Sequence, residues 1–167
     1  MTDPQPDTVT AASLARRLRA GEEIAVLDLR DRDAFERWGI EGRTVRATQV
    51  PHVRFVAAHA TGDVRDPLPD LSEPILVVCA RGEASGQVAG WLREAGVDAR
   101  NLAGGTAAWA ETVLAAEFDA GPLFVRQYQR PATGCLSYLV ADDDEAVVID
   151  PLRAATDRLA TDADDLG

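Results

Sequence analysis

Cys79 ends the apolar run Ile75-Leu76-Val77-Val78 and is followed at once by Ala80-Arg81-Gly82-Glu83-Ala84-Ser85, where an amphipathic stretch begins. A thiol at such a strand-to-helix turn faces the free N–H groups of the loop and of the first helical turn. Those amides act as a fixed partial positive charge, which favours thiolate and any anion brought to it. Nucleophilic chemistry at sulfur is the first expectation. An ordinary thiol of pKa about 8.5 is only a few per cent ionised at neutral pH, and a fall of about two units, roughly 2.7 kcal/mol, makes it mostly thiolate. One helix terminus contributes roughly 0.3 to 2 kcal/mol, so the loop amides and Arg81 must supply the rest. Gly82 permits the tight loop, and Ser85 is read as the cap of the following helix. The competing reading of Cys79 is a buried small hydrophobe at the end of a strand.

The other cysteine, Cys135, is far away in sequence, so the pair suggests neither a disulfide framework nor a metal knuckle. His52 and His59 are the only histidines and leave little to hold a transition metal. Both are read as surface or core-edge residues beside a short helix, and no metal or other cofactor is expected. Among 167 residues the net charge is -11, which argues against nucleic acid and anionic lipid as partners. No run approaches the roughly 18 apolar residues of a membrane span. The acidic, polar start Met1-Thr2-Asp3-Pro4-Gln5-Pro6-Asp7 is unlike a secretory signal, so the cytoplasm is the expected compartment. All 17 basic residues are Arg, and Asp dominates the acids, clustering in Asp142-Asp143-Asp144 and at Asp162, Asp164 and Asp165. Salt adaptation and a GC-rich genome both account for that pattern.

The elements that must position the thiol follow from periodicity. Thr10 is expected to cap a helix over Ala11 to Ala20, with Leu14 and Leu18 inward and Gly21 as its stop. Ile24 to Leu29 and Ile75 to Cys79 are continuous apolar runs suited to strands buried on both faces. Asp31 to Trp38 is read as a short helix with Phe35 and Trp38 inward, then a strand near Val45 to Thr48 and a helix over Val53 to Ala60. Ser85 to Ala95, a short strand at Ala99 to Leu102 and a helix from Thr106 to Ala116 complete an alternating pattern. Alternation of strand and helix implies an α/β fold with a mainly parallel sheet, whose ligands bind at the strand C-terminal ends. Beyond a linker at 118–122, three strands are expected over Leu123 to Gln129, Cys135 to Ala141 and Ala146 to Ile149. A helix is expected to begin near Leu152. Cys135 is read as a strand residue facing a core, and Asp150 as the cap of a turn. About 45 residues of meander and helix are too few for a stable independent core.

Three segments in order carry a family resemblance. They are Val26-Leu27-Asp28-Leu29-Arg30-Asp31 with Gly39-Ile40-Glu41-Gly42, the loop Cys79 to Ser85, and Asn101-Leu102-Ala103-Gly104-Gly105-Thr106-Ala107-Ala108-Trp109. Residues 8–117 resemble a rhodanese-like domain over essentially its whole length. The resemblance implies a helix-flanked parallel sheet and sulfur transfer from a small donor, thiosulfate or a persulfide, through a Cys79 persulfide to a thiol or other nucleophile. It also implies that residues 80–85 form the substrate loop, with Asp28 and Arg30 as its structural support. Ala84 departs from the family, because many single-domain members carry a second loop arginine there, and Glu83 offsets Arg81. Thiosulfate, a dianion, is accordingly expected to be a poor donor. A catalytically weak binding or regulatory module is the alternative. The related phosphatases place an arginine six positions after the cysteine, and here that position is Ser85.

Residues 123–167 resemble the opening of a metallo-β-lactamase fold domain of the persulfide dioxygenase and glyoxalase II branch. The resemblance rests on Phe124 to Gln127, Gly134 to Val140 and Ala146 to Pro151. Its His-x-His-x-Asp-His motif would fall past Gly167, so no metal chemistry is assigned to this chain. A truncated product, or a fragment of a rhodanese-fused metal-dependent hydrolase or persulfide dioxygenase, is the expectation, with a protease-sensitive tail after about residue 118.

Overall fold

The structure is a computed structural model and describes residues 7–142 and 145–165. Residues 1–6, the acidic pair at 143–144 and the last two positions lie outside the described residues. The chain divides into two compact units, one running to Trp109 and one from Ala110.

The first unit holds a parallel sheet flanked by helices. Its strands are β1 (Thr8–Val9), β2 (Ile24–Asp28), β3 (Val45–Gln49), β4 (Ile75–Val78) and β5 (Ala99–Leu102), in the order β1-β5-β4-β2-β3. All four pairings are parallel. Successive side chains on a strand point to opposite faces. Leu27, Ile75, Val77 and Ala99 turn one way and pack with Phe55, Val88 and Leu92, while Val26, Leu76 and Val78 on the other face are equally buried. That two-sided burial is why β2 and β4 read as unbroken apolar runs.

The intervening helices are α1 (Ala11–Arg19), α2 (Arg32–Arg37), α3 (His52–Thr61), α4 (Glu83–Glu94) and α5 (Gly105–Glu111). Thr10 caps α1 through its hydroxyl to Ser13 N–H, as expected, and Asp31 caps α2 through Ala34 N–H. The stacked rings of His59 and Trp91, 4.0 Å apart, join α3 to α4. Three local readings need correction, and one strand adds to them. α2 buries no residue, and Phe35 and Trp38 are only half-buried. The two-residue β1 had no signal at all. α5 stops at Glu111, because residues 114–120 are extended and pair with the next strand. Residues 118–122 are therefore not a free linker but the end of that strand and a tight turn.

The second unit is an antiparallel meander of β6 (Leu114–Ala120), β7 (Leu123–Arg130), β8 (Cys135–Ala141) and β9 (Ala146–Ile149). A short 3-10 turn (Arg153–Ala155) and α6 (Thr156–Asp164) follow. Tyr128, Leu139, Ala155 and Leu159 form its small core, on the sheet face that α6 covers. Phe118, Leu123, Leu136, Val147 and Ile149 share the opposite face by register and are exposed. Cys135 shares the face of Ser137 and Leu139 by register, but at the start of β8, opposite Arg130, it is exposed rather than packed into that core. Asp150 leaves β9 in the left-handed region at φ 49 and is exposed.

Candidate active site

All three sequence segments that carry the family resemblance meet at the C-terminal edge of the parallel sheet, where β2, β4 and β5 end. Cys79 follows β4 directly and is 8% exposed. Its Sγ accepts from Gly82 N–H at 3.0 Å, from Ser85 N–H at 3.4 Å and from the Ser85 hydroxyl at 3.1 Å. Burial pushes the Cys79 thiol up, but the Ser85 hydroxyl and the N–H groups of Ser85, Arg81 and Gly82 outweigh it. The net result lies below the ordinary thiol value.

The loop can aim its amides inward because its carbonyls are absorbed elsewhere. Thr106 N–H donates to Cys79 O at 2.9 Å and Ala107 N–H donates to Ala80 O at 3.0 Å, so the N-terminus of α5 receives the loop. Close approach is what requires glycine at two points. A Cβ on Gly105 would lie 2.7 Å from Arg81 N, and one on Gly82 would lie 2.8 Å from Gly104 N; both residues have positive φ. The third segment, which begins 22 residues after the cysteine in sequence, is thus the other wall of the loop.

Gly82, at φ 93, caps α4, and Ser85 does not. Ser85 lies inside the first turn, fully buried, with its hydroxyl turned to Cys79 and to Asn101 Oδ1 at 2.7 Å. Periodicity does not reveal this, because a serine at the third helical position is equally compatible with pointing into solvent. Asn101 stood in the third segment without a role.

Asp28 and Arg30 form a bidentate pair at 2.7 to 3.1 Å, with side chains 3% and 10% exposed. Arg30 also donates to Trp38 O at 2.8 Å, and its own carbonyl accepts from Gln49 Nε2 at 2.7 Å. The pair ties the end of β2 to the turn after α2 and to β3. Among the described residues, none of its hydrogen bonds reaches residues 80–85. Arg30 nonetheless lines a cleft of about 370 Å³ in front of the thiol, together with Asp31, Ala34, Cys79, Ala80, Arg81, Glu83 and Ala84. Arg81 and Glu83 are both exposed, and no ion pair joins them among the described residues. The cleft holds two cations and two anions, so its side-chain charge balances. No group of three or more metal-ligating side chains occurs among the described residues, and none of their helices is long and apolar enough to cross a membrane.

A helix-flanked parallel sheet with a cysteine cradled at the C-terminal end of a central strand defines the class. The profile of the family described as "Rhodanese-like domain" matches residues 10–112, more than half of the sequence, and the chain belongs to that family. At the family level such domains handle sulfur, moving it from donors to thiol acceptors. Among solved structures, a rhodanese-like domain protein from Staphylococcus aureus is 22% identical, with a TM-score of 0.45 over 61% of this chain and 89% of its own. A rhodanese-related protein from Thermoplasma volcanium is also 22% identical, with a TM-score of 0.46 over 62% and 90%. A NAD-dependent persulfide reductase from A. fulgidus is 27% identical, with a TM-score of 0.36 over 57% of this chain and 17% of its own. No curated protein matches.

Proposed function

We propose that the first unit is a sulfurtransferase, or sulfur carrier, that holds sulfane sulfur as a persulfide on Cys79. The observation that carries this reading is the cradle of Gly82 N–H, Ser85 N–H and Ser85 hydroxyl around one nearly buried sulfur. In the first step the Cys79 thiolate attacks the outer sulfur of R–S–SH. A new S–S bond forms to Sγ, the donor S–S bond breaks, and its electron pair leaves on RS⁻, which takes up the proton. In the second step an acceptor thiolate attacks the outer sulfur of the Cys79 persulfide, and Cys79 leaves as thiolate. Both steps conserve electrons, so the chemistry needs no redox cofactor. Loop N–H groups are aimed where negative sulfur sits before and after each displacement.

The balanced side-chain charge of the cleft favours an organic persulfide over thiosulfate as donor. Ala34, Ala80 and Ala84 present methyl groups rather than cations beside the thiol. Incubation with glutathione persulfide should add one sulfur atom to the intact protein. Cys79→Ser should abolish that gain, and Cys135→Ser, at the exposed second thiol, should leave it intact. A wild-type protein that gains sulfur from no donor overturns the enzymatic reading in favour of a binding or regulatory module.

For the second unit, the reading as the opening of a metallo-β-lactamase-type domain is supported by its antiparallel meander followed by a helix. Its apolar residues exposed on the face away from α6 also fit one leaf of a two-sheet sandwich. An in-frame continuation of the coding sequence that encodes His-x-His-x-Asp-His supports this, and a continuation without the motif overturns it.

A further inference from the structure

Ser85 Oγ stands 3.1 Å from Cys79 Sγ and 2.7 Å from Asn101 Oδ1. A hydroxyl has one proton, so it cannot donate in full to both. Ser85 is 0% exposed, and a hydroxyl that deep must find its partners within the protein. Asn101 is held in place by its backbone. It lies on β5 directly opposite Val77 of β4, its backbone N–H is bonded to Asp7 O, and a Cβ at Gly86 would come within 3.2 Å of its Nδ2. The bare helix surface at Gly86 is what leaves room for the amide.

We propose that Asn101 is a positioning residue that sets the direction of the Ser85 hydroxyl proton and so the proton affinity of Cys79. This rests on the reading of Cys79 as the reacting thiol. While Cys79 is protonated, S–H donates to Ser85 Oγ and Ser85 donates to Asn101 Oδ1. When the thiol proton leaves to solvent, sulfur can only accept. Ser85 then turns its proton to Sγ, and its oxygen is left as an acceptor. A half-turn of the Asn101 amide presents Nδ2–H to that oxygen. A carboxamide has both a donor and an acceptor end, so it satisfies Ser85 in both states, which neither an apolar nor an accept-only side chain can do.

The charged groups that face Cys79 are Arg30, Asp31, Arg81 and Glu83 across the cleft, with Asp28 engaging Arg30. On the α5 side the neighbours are backbone groups of Gly105, Thr106 and Ala107. The Ser85–Asn101 contact contains no ionisable group, so a change there acts on Cys79 through hydrogen bonding.

The experiment is the pH dependence of iodoacetamide alkylation at Cys79, followed by mass spectrometry with Cys135→Ser as the background. Asn101→Ala is expected to shift the apparent thiol pKa by about half a unit or more. The same substitution should shift nothing further once Ser85→Ala has removed the hydroxyl. Asn101→Asp keeps the shape of the side chain should the alanine variant fold poorly. Its effect is expected to be larger with the Ser85 hydroxyl than without it. An Asn101→Ala protein that titrates like the parent overturns the proposal. So does an equal shift from either substitution with and without Ser85. Alkylation does not require sulfur transfer, so failure here is distinct from failure of the proposed activity.

Discussion

Burial is the largest influence on the pKa of Cys79 and raises it, and the hydrogen bonds of the loop, the Ser85 hydroxyl foremost, outweigh it. Of the groups that lower the thiol, the Ser85 hydroxyl contributes most, against the opposing effect of burial. Ser85→Ala should therefore move the alkylation profile of Cys79 to higher pH by roughly one unit, the equivalent of about 1.4 kcal/mol for one lost hydrogen bond to the charged form. Because ionisation is what makes sulfur nucleophilic, the rate at neutral pH should fall with it; an unmoved profile would show that the backbone amides suffice. The proposed donor preference is testable one residue away. Ala84→Arg would add a third cation to a cleft whose charges now balance, and should raise the rate with thiosulfate on the order of tenfold, since a charge near a partly exposed dianion is worth a few kcal/mol at most. Equal rates with thiosulfate for both proteins would remove charge as the reason for donor preference. The place of the thiol at a strand-to-helix turn was legible in the sequence, because an apolar run ending in cysteine and followed by a glycine-containing loop marks such a turn. The direction of the Ser85 side chain was not legible, since cap and first-turn positions share the same residue preferences.

At the scale of elements, the parallel strands could be read because burial on both faces leaves an unbroken apolar run. β6 could not. Leu114-Ala115-Ala116-Glu117 has helix-forming composition, and only pairing with β7 across seven residue pairs makes it extended. The buried Asp28–Arg30 ion pair helps tie β2 to the turn after α2. Asp28→Asn leaves Arg30 without its counter-charge and should destabilise the first unit by about 3 kcal/mol or more, read as a lower midpoint in denaturant. A midpoint within error of the parent would make the pair dispensable. In the second unit α6 is held by Asp162, which accepts from the Tyr128 hydroxyl at 2.5 Å and pairs with Arg126 at 2.8 Å. Burial pushes the Asp162 carboxyl up, yet Tyr128 and Arg126 hold it below the usual carboxylate range on balance. Its contribution is thus present in full above the unfolded carboxyl value, about 3.9, and is lost as pH falls through the lower folded value. The hydrogen-exchange protection of residues 156–164, taken relative to the intrinsic rate at each pH, should fall on acidification below about pH 4, and Asp162→Asn should already be weakly protected at pH 7. Slow exchange in the variant at neutral pH would assign α6 docking to Leu159 and Ala155 alone.

For the whole molecule, charge and exposed apolar surface pull in opposite directions. A net charge of -11 keeps copies of the chain apart at low salt, while Phe118, Leu123, Leu136, Val147 and Ile149 offer one sheet face for association. The screening length falls from about 10 Å at 0.1 M to about 3 Å at 1 M, so molar KCl removes the repulsion but leaves the apolar attraction. Sedimentation velocity should show a larger assembly in molar KCl than at 0.1 M, and Leu136→Glu with Val147→Glu should return it to the low-salt species. If the apolar face is irrelevant, the doubly charged variant will associate as the parent does. The melting temperature of that non-associating variant then isolates the effect of salt on the fold itself. An acidic surface adapted to salt gains stability between 0.1 M and molar KCl. Arginine and alanine usage inherited from a GC-rich genome does not require such a gain, and a flat melting curve would leave codon usage as the explanation for 17 arginines and no lysine.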